Sequence, residues 1–71
     1  MIKFIREYTA IDKVTTIYDV IYESRVKSYY ITNGEKLPKT ITNFIASAKV
    51  IDQVDKMHGY EKIYEKNKRG L

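Results

Sequence analysis

Apolar and polar positions alternate loosely over residues 2–8, where Ile2, Phe4 and Ile5 stand among Lys3, Arg6 and Glu7, and this predicts a short strand. Residues 13–22 read Lys-Val-Thr-Thr-Ile-Tyr-Asp-Val-Ile-Tyr. All but the lysine and the aspartate are β-branched or aromatic, which is strand composition. In an extended chain the even positions Val14, Tyr18, Val20, Tyr22, Val26 and Tyr30 share one face. The stretch also fits a helix: Ile11, Val14, Ile17, Tyr18, Ile21 and Tyr22 fall on one side at helical spacing, with Asp12, Thr16, Asp19 and Glu23 opposite. Val, Thr, Ile and Tyr all lose χ1 freedom in a helix, so the strand is preferred.

Residues 26–32 read as a third strand, with a bend near Glu23-Ser24-Arg25. Thr32-Asn33-Gly34-Glu35 is a turn, because Asn and Gly both tolerate positive φ. Asn-Gly is the strongest short-range hairpin signal, and the return arm of this basic hairpin, Glu35 to Lys39, holds Pro38, which lacks an N–H and belongs to an edge or a loop. From Thr40 the period changes to that of a helix. Thr40 or Thr42 serves as its cap, Ile41, Phe44, Ile45, Ala48 and Ile51 form its apolar stripe, and Gly59 after Met57 and His58 marks its end. Tyr60, Ile63 and Tyr64 suggest a further short helical turn, and residues 66–71 a frayed basic tail. The expected fold is α+β: a small antiparallel sheet of about three strands within residues 2–32, packed against one main C-terminal helix at 41–57, in a single domain spanning 1–71.

A second stripe, Ala46, Val50, Val54 and Met57, recurs on the opposite side of that helix, where a one-sided surface helix is polar. A chain of 71 residues has little material to cover both sides, so these four residues are expected to form a homodimer contact.

Composition excludes more than it assigns. The absence of cysteine removes disulfides and thiolate metal sites. A single histidine makes a zinc site improbable on ligand grounds, and no cofactor is expected. No apolar run approaches the roughly 18 residues of a membrane span, and the charged N-terminus does not resemble a signal peptide, so a cytoplasmic location is expected. No Ser-His-Asp spacing, phosphate-cradling glycine loop or ligand cluster is present. Asp52 and Asp55 stand at i, i+3 on the expected helix, where a solvated face accounts for them. His58 at the helix end complements the helix dipole. An enzyme is not expected. Ten isoleucines, ten lysines, seven tyrosines and three asparagines have AT-rich codons; in composition the chain resembles an accessory product of a phage or mobile element of a low-GC bacterium.

Charge adds a location. The net charge of +4 is concentrated in the middle and the tail, with Arg25, Lys27, Lys36 and Lys39 facing only Glu35 across residues 25–40. On a strand, Arg25, Lys27 and Tyr29 share one face, with Val26, Ser28 and Tyr30 on the other. Basic groups beside an exposed ring can dock on an acidic protein face with the tyrosine as anchor, or hold a phosphate backbone and stack a base. Ten lysines against three arginines equip the chain poorly for bidentate base reading. The expectation is therefore a small non-enzymatic protein-binding accessory protein, an inhibitor or modulator of a larger machine. Its contact residues are Arg25, Lys27, Tyr29, Asn33 and Lys36, and its partner has an acidic face. The alternative is a small nucleic-acid-binding regulator, using the basic hairpin or a dimer resembling ribbon-helix-helix proteins, with a strand at 2–8 and helices at 11–31 and 40–57.

Overall fold

The computed structural model of the chain describes residues 1–55 and 59–66, without the side chains of Asp55 and Tyr60. Five strands and one helix follow in the order β1 (Ile2–Thr9), β2 (Thr15–Tyr22), β3 (Val26–Thr32), α1 (Lys39–Ser47), β4 (Lys49–Asp55) and β5 (Gly59–Glu65). The strands form one antiparallel sheet in the order β3-β2-β1-β5-β4. The chain thus leaves one edge of the sheet at β3 and returns at the opposite edge with β4. The connection carries α1, which covers one face of the sheet.

This corrects the expected three-stranded sheet on a main C-terminal helix: the described residues are mostly β, with one short helix among them. The helix expected at 41–57 stops at Ser47, where Ala48 turns extended and donates its N–H to the Ile45 carbonyl. Residues 49–55 and 59–65 form a hairpin instead, and β5 pairs along the free edge of β1. Val50, Ile51 and Val54 suit a strand once a partner supplies ladder hydrogen bonds. Gly59, at φ 80°, occupies the left-handed region at the start of β5. Tyr60, Ile63 and Tyr64 are strand residues, not a helical turn. The ribbon-helix-helix arrangement is overturned as well, since two strands occupy most of 11–31. Neither Thr40 nor Thr42 caps α1: Pro38 holds the N-cap position, and the Thr42 hydroxyl donates to its carbonyl. Met57 and His58 lie outside the described residues, as does the tail beyond Lys66.

The first three strands lie where their composition places them. Asp12 organises the β1–β2 turn, its carboxylate accepting the Val14 and Thr15 N–H groups and the Thr15 hydroxyl, while Lys13 takes φ 63°. Asn33 and Gly34 take φ 53° and 80° after β3, but residues 35–38 are not a strand and β3 is the edge of the sheet, so the turn leads to α1 and the expected hairpin does not close.

The strand phase differs from the sequence reading across the second hairpin. Tyr22 N–H donates to the Arg25 carbonyl around a two-residue loop, so Val20 pairs with Lys27 and Tyr18 with Tyr29. Even residues of β2 therefore stand beside odd residues of β3. Tyr18, Val20 and Tyr22 do share one face, but Val26 and Tyr30 lie on the other and are 62% and 64% exposed.

The core lies between the sheet and α1. Ile5, Val20, Tyr64 and Ile41 are its buried members, and Ile2, Tyr18, Tyr22, Tyr29, Leu37, Phe44, Ile45 and Ala48 pack around them. A register shift at Lys3 explains how Ile2 and Ile5, three residues apart, both reach this face: Ile2 pairs with Tyr22 but Phe4 with Ile21, so one extra residue is accommodated in β1.

Candidate functional site

The helix does not close the whole face it covers. Where β1 begins and β2 ends, a groove of about 530 Å³ opens between the sheet and α1. Its walls are apolar and aromatic: Ile2, Tyr22 and Tyr29 from the sheet, Ile41 and Phe44 from the helix. Thr40, Asn43 and Ser47 line it from α1 as polar groups. This size and character match sites that take an apolar side chain or a small molecule.

Three cations stand at or beside the groove. The Arg25 guanidinium carbon lies 4.3 Å from the centroid of the Tyr22 ring, and the Lys27 ammonium 5.2 Å from that of Tyr29. Lys66 lines the groove, with its ammonium 3.6 Å from the Met1 sulfur. The charged heads of Arg25 and Lys27 thus lie over the Tyr22 and Tyr29 rings, and both residues remain exposed to water.

Of the five residues expected to meet a partner, Tyr29 lines this groove, and Arg25 and Lys27 lie over the rings of its walls Tyr22 and Tyr29 without lining it themselves. Lys27 and Tyr29 share the helix-covered face, not an outer one; Tyr29 is half-buried and packs against the core. Asn33 and Lys36 sit beyond the other end of β3, in the turn and loop before the helix, apart from the other three. Tyr22, Phe44 and Lys66 belong to the groove and were not singled out from sequence. Tyr22 and Phe44 were visible only as members of apolar stripes, and Lys66 only as the first residue of the expected basic tail.

The expected second stripe is dispersed, because no helix spans it. Ala46 is exposed on α1, Val50 and Val54 stand on β4, and Met57 lies outside the described residues. Asp52 and Asp55 likewise lie on β4, where a spacing of three does not set them side by side.

A polar cluster interrupts the core face. The Tyr64 hydroxyl donates to Glu7 Oε1 at 2.7 Å, and Glu7 stands opposite Tyr18 in the register. Burial, then the Glu7 hydrogen bond, pushes the Tyr64 phenol above its ordinary value; burial and the Glu7 charge do the same to Tyr18. Both phenols are thereby poorer proton donors near neutral pH, the opposite of tuning for general acid–base work. The cluster reads as structure.

The sheet face away from α1 carries Phe4, Tyr8, Ile17, Ile21, Val26, Tyr30, Ile51 and Ile63. Among them Arg6 Nε lies 3.4 Å from Glu61 Oε2, and Asp19 accepts hydrogen bonds from Tyr8 (3.2 Å) and Ser28 (2.6 Å). Among the described residues no group of three or more His, Cys, Asp or Glu could hold a metal ion, and no helix is long and apolar enough to cross a membrane. Comparison with protein-family models, curated proteins and solved structures produced no match.

Proposed function

We propose that this chain is a non-enzymatic protein-binding module of the cytoplasm, acting as an accessory inhibitor or modulator of a larger assembly. Its contact centre is the groove between α1 and the sheet. The observation that carries this reading is the combination of aromatic walls with cations beside them. Tyr22, Tyr29 and Phe44 offer an apolar groove for one anchor side chain, and Arg25, Lys27 and Lys66 add positive charge beside it. The complementary ligand is a protein segment with a Leu, Phe or Trp anchor flanked by Asp or Glu. Charge around the anchor steers association and makes its rate salt-dependent.

Nucleic acid remains the alternative. It is the weaker one, because ten lysines against three arginines equip the chain poorly for reading bases, and Arg25 and Lys27 each take up one face of the Tyr22 and Tyr29 rings. Selection from a displayed peptide library, run with the wild type and with Arg25→Glu/Lys27→Glu, tests the proposal. Enrichment of acidic sequences around an apolar anchor by the wild type alone is expected. Equal enrichment by both proteins, or steeply salt-sensitive mobility shifts of plain duplex at low salt with no selected peptide, overturns it.

A further inference from the structure

A sheet with one face in water normally alternates apolar residues inward with polar ones outward. This sheet does not. On its uncovered face the eight apolar or aromatic side chains span all five strands, from Val26 and Tyr30 on β3 to Ile51 on β4. The described chain has no second helix to lay over them. We infer that a second copy of this chain covers this face, so that two sheets pack face to face and α1 of each copy remains outside.

Three observations favour a second copy over another occupant. The first is charge. The chain is basic overall, but this face carries Arg6 and Lys49 against Asp19, Glu61 and Glu65, so it presents no basic patch to polyanions or anionic lipid and offers both signs to its own image. The second is satisfaction of polar groups. Arg6 pairs with Glu61, which is only 7% exposed, and Asp19 already accepts from Tyr8 and Ser28. Burying partnered groups avoids most of the penalty for burying bare ones. The third is area. Five strands about 4.8 Å apart and about 25 Å long present a projected area of roughly 600 Å² per copy, or roughly 1,200 Å² for two. That reaches the lower bound of about 1,200 Å² for specific stable interfaces. Two such sheets pack about 10 Å apart with strand directions about 30° off parallel.

The inference is independent of the groove, and sedimentation equilibrium of the isolated protein from about 1 µM to 1 mM tests it. A reversible monomer–dimer equilibrium is expected for the wild type. Val26→Glu/Tyr30→Glu, at two exposed positions of the face, and Ile17→Lys, nearer its centre, should each raise the dissociation constant by roughly 100-fold or more, since they place unpaired charge in an apolar contact. Circular dichroism should show the double variant still folded, so it decides the matter even if Ile17→Lys fails to fold. Val54→Glu, at an 80% exposed position on the other side of β4, should leave the equilibrium unchanged. A wild type that is monomeric throughout overturns the inference. So does a dimer that survives the folded double variant, or one dispersed by Val54→Glu instead.

Discussion

Removing one oxygen tests whether the polar cluster in the core holds the sheet together. Tyr64→Phe keeps the ring in its buried place beside Ile5 and Val20 but deletes the hydroxyl that donates to Glu7 at 2.7 Å. A hydrogen bond to a charged group contributes about 1.5–3 kcal/mol. Glu7 is only half-buried, so water can partly replace the lost donor, and a cost near the low end, about 1.5 kcal/mol, is expected. A chain of this length has a total stability of about 4–10 kcal/mol, so the loss is readily measured. It corresponds to a drop in Tm of about 6–12 °C.

Urea denaturation of the wild type, Tyr64→Phe, Glu7→Gln and the double variant forms a cycle that isolates the interaction. With glutamine as a neutral acceptor, the cost of Tyr64→Phe should fall below about 1 kcal/mol. The pH response supplies a second readout. The folded protein holds the Tyr64 phenol above its ordinary value, so the native state keeps a proton that the unfolded chain releases. Its contribution is intact below about pH 10 and is lost as pH climbs past that value, a slope that Tyr64→Phe should lessen. A Tyr64→Phe cost below about 0.3 kcal/mol, or one identical in the Glu7→Gln background, refutes the reasoning.

Tyr29→Ala should cost about 2 kcal/mol, roughly half the value for a fully buried aromatic, whereas Tyr30→Ala at concentrations that keep the chain monomeric should stay within about 0.5 kcal/mol. The reverse order in urea melts would place β3 one residue out of register. Asp12→Ala should lower the Tm at neutral pH by freeing the β1–β2 turn. Hydrogen bonds from the Thr15 and Val14 N–H groups hold the Asp12 carboxyl below its ordinary value. Its contribution is therefore present above about pH 4 and lost as pH falls further, and the two proteins' melting curves should converge near pH 2. A gap that persists in acid would assign the effect to something other than the carboxylate. Gly34→Ala should cost about 1–2 kcal/mol, because φ is 80° there and nothing lies within 4 Å of the added Cβ, so strain alone acts. A neutral result in thermal melts would mean that the turn relaxes to another shape.

Local chemistry leaned toward the strands found in the first half of the chain. β-branched and aromatic residues favour β1, β2 and β3 by stiffness at χ1, although 13–22 also fits a helical period and the pairing with β1 and β3 is what settles it as a strand; Asn33-Gly34 favours the turn by tolerance of positive φ. Arg25, Lys27 and Tyr29 were legible as candidates because charge and aromaticity are written in the residues themselves. The opposite faces of Tyr29 and Tyr30 were not, because one hairpin loop length sets the pairing parity. Nor were Tyr22, Phe44 and Lys66 as one site, since three distant segments meet only when α1 crosses the sheet.

The second half was decided by tertiary structure. Residues 41–51 fit a helical stripe, and 49–55 fit a strand as well; short apolar runs do not distinguish the two. The free edge of β1 breaks the tie. It offers β5 a ladder, β5 offers one to β4, and each backbone group paired there removes the incentive to continue the helix past Ser47.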